Sequence, residues 1–172
     1  HSDLGYRDVV VPDSAFGHDL RWEDGVPMFR RLLGLAAGRG LHFSLKLSNT
    51  LEVENRRGVF PADPMMYLSG RPLHALTANL AWLLAEEFAG GMPLSFAGGA
   101  DCFNAPRLLA CGLRPVTVCS DLLRSGGYVR LRQYLETTGA ALAAAGAGDL
   151  DDLVRRTAGV KDPAAARLTN LR

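Results

Sequence analysis

Apolar positions along the chain switch repeatedly between short continuous runs and stripes at helical spacing. Residues 8–12, Asp-Val-Val-Val-Pro, form a β-branched run stopped by proline and are predicted as a buried strand. Residues 13–22 read as a loop. Residues 24–27, Asp-Gly-Val-Pro, open a helix to about Ala37 with Pro27 near its first turn, and apolar Met28, Leu32, Leu35 and Ala36 recur at helical spacing before Gly38 and Gly40 end it. Residues 42–47 predict the next strand. Alternation there sets Ser44, Lys46 and Ser48 on one face and Phe43, Leu45 and Leu47 on the other. Residues 51–66 contain Asn-Arg-Arg-Gly and two prolines, and read as an excursion or irregular hairpin. A Ser-Gly-Arg-Pro junction at residues 69–72 then starts a helix to about Phe88, with Leu73, Leu76, Leu80, Leu83 and Leu84 as its apolar stripe. Strands are predicted at 93–97 and 115–119, and helices at 104–111, 128–145 and 149–156. The polar stretch after Lys161 reads as a surface tail.

Strands alternating with helices of this length predict an α/β protein built from parallel βαβ units. An open doubly wound sheet and a closed (β/α) barrel of TIM type both satisfy the pattern. A complete barrel takes about 250 residues, so residues 1–160 are expected to be only the C-terminal portion of one, a fragment, with residues 161–172 as a tail or linker.

Composition narrows the function classes. The chain has 172 residues, 48% hydrophobic and 22% charged, which suits one ordinary globular core. A net charge of +1 supplies no basic field for nucleic acid. No apolar run reaches the ~18 residues of a membrane helix. Cys102, Cys111 and Cys119 form neither a CxxC pair nor an even set, so no disulfide framework, zinc or other metal site, or local iron–sulfur cluster is expected. With no export leader visible, the cytoplasm is the expected compartment. The chain lacks an initiator methionine and is expected to be an excised or trimmed piece. Of 19 basic residues only Lys46 and Lys161 are lysine, so a lysine inside an apolar strand calls for a specific explanation.

The candidate chemistry lies at strand ends. Residues 97–101, Ala-Gly-Gly-Ala-Asp, follow one predicted strand, and Cys119 and Ser120 end the next. Glycines there leave backbone N–H groups accessible to an anion, and TIM-type barrels frequently bind phosphate in the loops after their last two strands. A tight turn is the plainer reading of a lone Gly-Gly pair. Lys46, pointing into a barrel, would need an electron-rich partner such as a flavin N1/O2 edge or a substrate carbonyl; a buried Asp or Glu would also serve. Ser69 and Gly70 either join the cradle or start the following helix. Residues 13–19 carry Asp13, Ser14, His18 and Asp19, groups able to handle protons or simply to cap the next helix. His42 and His74 read as structural, and Tyr128 and Tyr134 as packing residues.

These stretches, together with Leu-Lys-Leu-Ser-Asn-Thr at 45–50, Met-Tyr-Leu-Ser-Gly-Arg at 66–71 and Gly-Gly-Tyr at 126–128, resemble the FMN-binding barrel of the dihydroorotate/dihydropyrimidine dehydrogenase superfamily. The likeness spans roughly residues 6–142. It is nearest to multidomain oxidoreductases described as selenate reductase subunits or as glutamate-synthase-like iron–sulfur oxidoreductases. The resemblance implies part of an FMN-dependent oxidoreductase acting on a small-molecule substrate, with iron–sulfur clusters and other redox domains or subunits outside this chain. It implies that Lys46 contacts the flavin ring or a substrate oxygen, that Asn49 and Thr50 lie near substrate, and that Gly70, Gly98, Gly99, Cys119 and Ser120, beside Ser69, line the FMN phosphate. Where the superfamily commonly places a catalytic Cys or Ser, residues 12–18 here offer no cysteine, and Asp13 and Ser14 are the nearby substitutes. A flavin-less structural or assembly barrel of a larger redox complex, and an isomerase or lyase barrel for a sugar phosphate, are the alternatives. Unpaired edge strands of a partial barrel predict self-association or association with a partner.

Overall fold

The structure, a computed structural model, describes residues 5–48, 50–58 and 60–172. In chain order its main elements are α1 (Trp22–Ala37), β1 (Leu45–Leu47), β2 (Leu51–Glu54), β3 (Met65–Leu68), α2 (His74–Glu87), β4 (Leu94–Ala97), α3 (Ala105–Ala110), β5 (Val116–Thr117), α4 (Leu131–Ala145), α5 (Leu150–Ala158) and α6 (Pro163–Leu171).

Three of the strands build a parallel sheet in the order β1, β4, β5. Lys46 pairs with Ser95 across the first ladder and Phe96 with Val116 across the second. Phe96, Leu47, Leu94, Ala81, Leu84, Leu108 and Leu113 form the buried core, with the β4 side chains at its centre. Burying each such large aliphatic or aromatic side chain contributes roughly 1.5–3 kcal/mol. β4 is central and buried along its whole length. Within the described residues β1 and β5 each pair only with β4, so the sheet is open and no barrel closes.

The segment expected as a first buried strand, residues 8–12, does not join this sheet. Its Val10 carbonyl instead accepts a hydrogen bond from the Glu54 amide at 2.9 Å, placing it beside the end of β2. The irregular stretch at 51–66 belongs to an antiparallel hairpin, β2 with β3, in register Leu51 to Leu68. Asn55 holds its connection: the side-chain amide donates to the carbonyls of Phe60 and Asp63 at 2.9 and 2.8 Å.

Helix faces were harder to read. In α1 the predicted stripe Met28, Leu32 and Leu35 is exposed, while Phe29 and Leu33 pack on the core. In α2, Leu73 before it and Leu84 within it are buried, but Leu76 and Leu83 face outward. Each helix carries apolar residues on more than one face, and the sheet occupies only one.

Residues 161–172 are not a tail. Asp162 accepts from the Ala165 amide at 2.8 Å and Pro163 takes the first helical position, so α6 starts on a capped N-terminus. It packs against α5 and α2 with Ala166 fully buried, and Asn170 donates to the carbonyls of Ala110 and Val154 at 2.8 and 2.9 Å. The polar residues that suggested a surface connection are the caps and tethers of a docked helix.

Candidate functional site

Parallel strands present all their C-terminal ends at one sheet edge, so the loops that leave them gather there. The loops after β1, β3, β4 and β5 enclose a cleft of about 340 Å³ lined by Thr50, residues 69–71, residues 97–101, Thr117, residues 119–121 and Arg124. Seven sequence-derived candidates meet in it: Thr50, Ser69, Gly70, Gly98, Gly99, Cys119 and Ser120. Asn49 lies outside the described residues.

The glycines let the loops touch one another. Gly99 has φ +71°, and a Cβ there would stand 2.5 Å from the Arg71 Cα. At Gly70, φ +73°, a Cβ would come within 3.1 Å of the Ser120 hydroxyl oxygen. At Gly98 it would meet the buried Thr77 hydroxyl at 2.7 Å. The missing side chains thus make room for protein, and that close packing brings the cleft's hydroxyls and guanidinium groups together.

Both cleft carboxylates are already engaged. One Asp101 oxygen accepts from Arg71 Nη2 at 2.7 Å, the other from the amides of Phe103 and Asn104 at 2.9 and 3.1 Å. Asn104 answers by accepting from the Asp101 amide and donating to the Gly99 carbonyl at 2.8 and 3.0 Å, which fixes the Gly-Gly turn. Asp121 is buried and accepts from Arg130 at 3.2 and 3.0 Å and from the Tyr134 hydroxyl at 2.7 Å. Burial pushes its carboxyl up, but hydrogen bonds from Tyr134 and Arg130, with the charges of Arg130 and Arg124, hold it below the usual carboxylate range. Burial, followed by the hydrogen bond to Asp121, pushes the Tyr134 phenol above its ordinary value. Arg130 and Arg71 match the two carboxylates, while Arg124 makes no ion pair among the described residues, so one positive charge is in excess. The cleft is suited to hold an anion, and among the described residues that line it both carboxylates are engaged.

Lys46 does not line the cleft. It is exposed, with no ion pair among the described residues, and borders a groove of about 310 Å³ with Trp22, Phe29, Leu80 and Leu84. By alternation and register it shares a sheet face with Ser95, Ala97 and Thr117, opposite the buried Leu47 and Phe96. Asp13 and Ser14 begin a short exposed 3₁₀ turn, Asp13–Phe16, beside β2 and are not brought to the cleft. His74 stacks edge-on to Phe96 at 5.4 Å.

Sequence reasoning missed Arg71, Arg124, Arg130 and Tyr134. Arg71 was legible only as a helix start, and Arg124 only as part of a strand exit. Tyr134 carried no signal beyond helical spacing, because its partners lie on other elements. Among the described residues no three His, Cys, Asp or Glu side chains gather as a metal site, and no helix is long and apolar enough to cross a membrane.

Comparison with known proteins gives two concordant matches. Residues 1–164 match the family described as oxidoreductase YgfK, N-terminal TIM-barrel domain. Proteins named "Putative oxidoreductase YgfK" from Escherichia coli (strain K12) and Escherichia coli O157:H7 are each 39% identical over 127 residues, covering 74% of this chain. That stretch spans only 12% of the length of these curated relatives. No solved structure gives a significant match.

Proposed function

The chain belongs to the YgfK N-terminal TIM-barrel family of oxidoreductase domains, and from that premise we propose that its strand-end cleft holds the phosphate of FMN. The observation that carries the proposal is the convergence of the loops after β1, β4 and β5 on a cleft whose Arg124 makes no ion pair among the described residues. Loops after the last strands of TIM-type barrels are a frequent place for phosphate.

The donor set fits a phosphate monoester. Thr50, Ser69, Thr117 and Ser120 bring hydroxyls, Arg71 and Arg124 bring guanidinium groups suited to phosphate oxygens, and both acidic neighbours are neutralised. When bound, FMN supplies the redox-active isoalloxazine ring. The chain's own part is to grip and orient. Lys46, on the same sheet face as Ala97 and Thr117, would offer a cation to the ring's electron-rich edge, and Thr50 would stand towards the substrate. Because Asp101 and Asp121 are both engaged, the cleft favours cofactor binding over the acid–base work of an isomerase.

The proposal extends to partners. Both edges of the parallel sheet are free within the described residues, and Leu32, Leu35, Leu76 and Leu83 face outward. Another part of a longer protein, or a second copy, would cover them. Redox domains outside this chain, iron–sulfur clusters among them, would exchange electrons with the flavin.

Titrating the purified chain with FMN while following flavin fluorescence tests the reading. Saturable quenching that is lost in Gly99→Asp supports it. No uptake of FMN would overturn it in favour of a flavin-less structural domain, and heat protection by a sugar phosphate alone would favour the isomerase or lyase reading.

A further inference from the structure

Resting on the phosphate reading above, we infer that Tyr134 is a positioning residue that locks the two principal anion loops in one register. Tyr134 stands on α4 and does not line the cleft. Its hydroxyl nevertheless reaches both loops. It donates to Asp121 Oδ2 at 2.7 Å and lies 3.3 Å from the Ala100 carbonyl oxygen, which takes a weaker share of the same proton. Ala100 follows Gly99 on the loop after β4, and Asp121 follows Ser120 on the loop after β5. A single phenol therefore bridges the neighbours of two proposed phosphate-binding positions.

The anchor behind this bridge is stiff. Arg130, the residue that caps α4, precedes Tyr134 by four residues in continuous right-handed helical backbone, so the two side chains project from one side. Both end on the Asp121 carboxylate, Arg130 through two nitrogens at 3.2 and 3.0 Å. The carboxylate is almost wholly screened from solvent, so a hydrogen bond removed from it is not readily replaced by water. The ring of Tyr134 could fill its space equally well as phenylalanine. Among the described residues the hydroxyl is the single group on α4 that hydrogen-bonds to both loops, and Phe would therefore keep the packing while releasing the bridge.

The test compares the intact chain with Tyr134→Phe and, as a control, with Tyr128→Phe, which removes a hydroxyl from an exposed ring. FMN titration is paired with hydrogen–deuterium exchange of the ligand-free proteins. Tyr134→Phe is expected to weaken FMN binding about tenfold, the size of one charge-assisted hydrogen bond, and to speed exchange at both residues 98–101 and 119–122. Tyr128→Phe is expected to change neither. Unaltered affinity in a well-folded Tyr134→Phe overturns the inference, as does faster exchange in only one loop or neither. If the wild type takes up no FMN, the phosphate reading fails by itself, and the paired exchange of the two loops still decides the bridge. Should Tyr134→Phe not fold, wild-type chain with 3-fluorotyrosine at position 134 replaces it. A fluorine resonance that shifts on adding inorganic phosphate supports the coupling, and one that does not move overturns it.

Discussion

A Cβ on Gly99 would lie 2.5 Å from the Cα of Arg71, closer than two such carbons can approach. The loops after β3 and β4 can thus lie against each other only if residue 99 has no side chain. The same contact places the Arg71 guanidinium beside Asp101 and helps shape the cleft.

Gly99→Ala is accordingly expected to cost more than its conformational penalty alone. Gly58, at φ +58° with nothing within 4 Å of its Cβ position, provides the comparison. Gly58→Ala should lose about 1 kcal/mol, and Gly99→Ala at least about 2–3 kcal/mol because backbone must move. Urea denaturation of the two variants checks this, and equal losses would show that the loops separate easily.

Asp121 gives the protein an acid-sensitive element. Its folded-state pKa lies below the ordinary value, so the unfolded chain binds the proton more readily. The stabilisation is complete above the ordinary carboxylate pKa of about 3.9 and disappears as pH falls through the lower folded value. Asp121→Asn should be less stable than wild type at neutral pH, and the gap should narrow towards pH 3. Denaturation midpoints measured across that range decide it; a constant gap would contradict the assignment.

Charge at the cleft separates Arg124, which lines it, from the candidates Asp13 and Ser14, which do not. Arg124→Glu should weaken FMN binding by about tenfold or more, with an effect that shrinks in salt. Asp13→Ala and Ser14→Ala, on the exposed turn away from the cleft, should leave FMN affinity unchanged. Parallel titrations at low and high ionic strength measure both.

Within the described residues β1 and β5 each leave one edge unpaired, and from such edges concentration-dependent association is expected. Sedimentation of the isolated chain should show self-association that grows with concentration. A lysine at outward-facing Leu32 or Leu35 should reduce it without lowering the thermal midpoint by more than a few degrees. A dilution-resistant monomer in the wild type would refute this.

The sequence by itself determined which stretches hold the parallel strands and the loops that leave them, though not the strands' own bounds. Short apolar runs closed by Gly or Pro are local signals, and β1, β4 and β5 all fall within the stretches that carry them. Gly98, Gly99, Cys119 and Ser120 were legible for the same reason, since strand ends in a parallel sheet must share an edge, whereas Ser69 and Gly70 reach the cleft from the end of the antiparallel hairpin. Only tertiary structure decided which apolar face of α1 meets the core, because periodicity cannot choose between two apolar faces when one is left without a partner. It also docked α6 where a tail was expected, and left Lys46 outside the cleft on the shared sheet face. It engaged Asp101 with Arg71 and Asp121 with Tyr134, bonds across 30 and 13 residues that no local pattern encodes. Strand ends are written locally in the chain; the state of a charge is set by whichever distant groups folding brings to it.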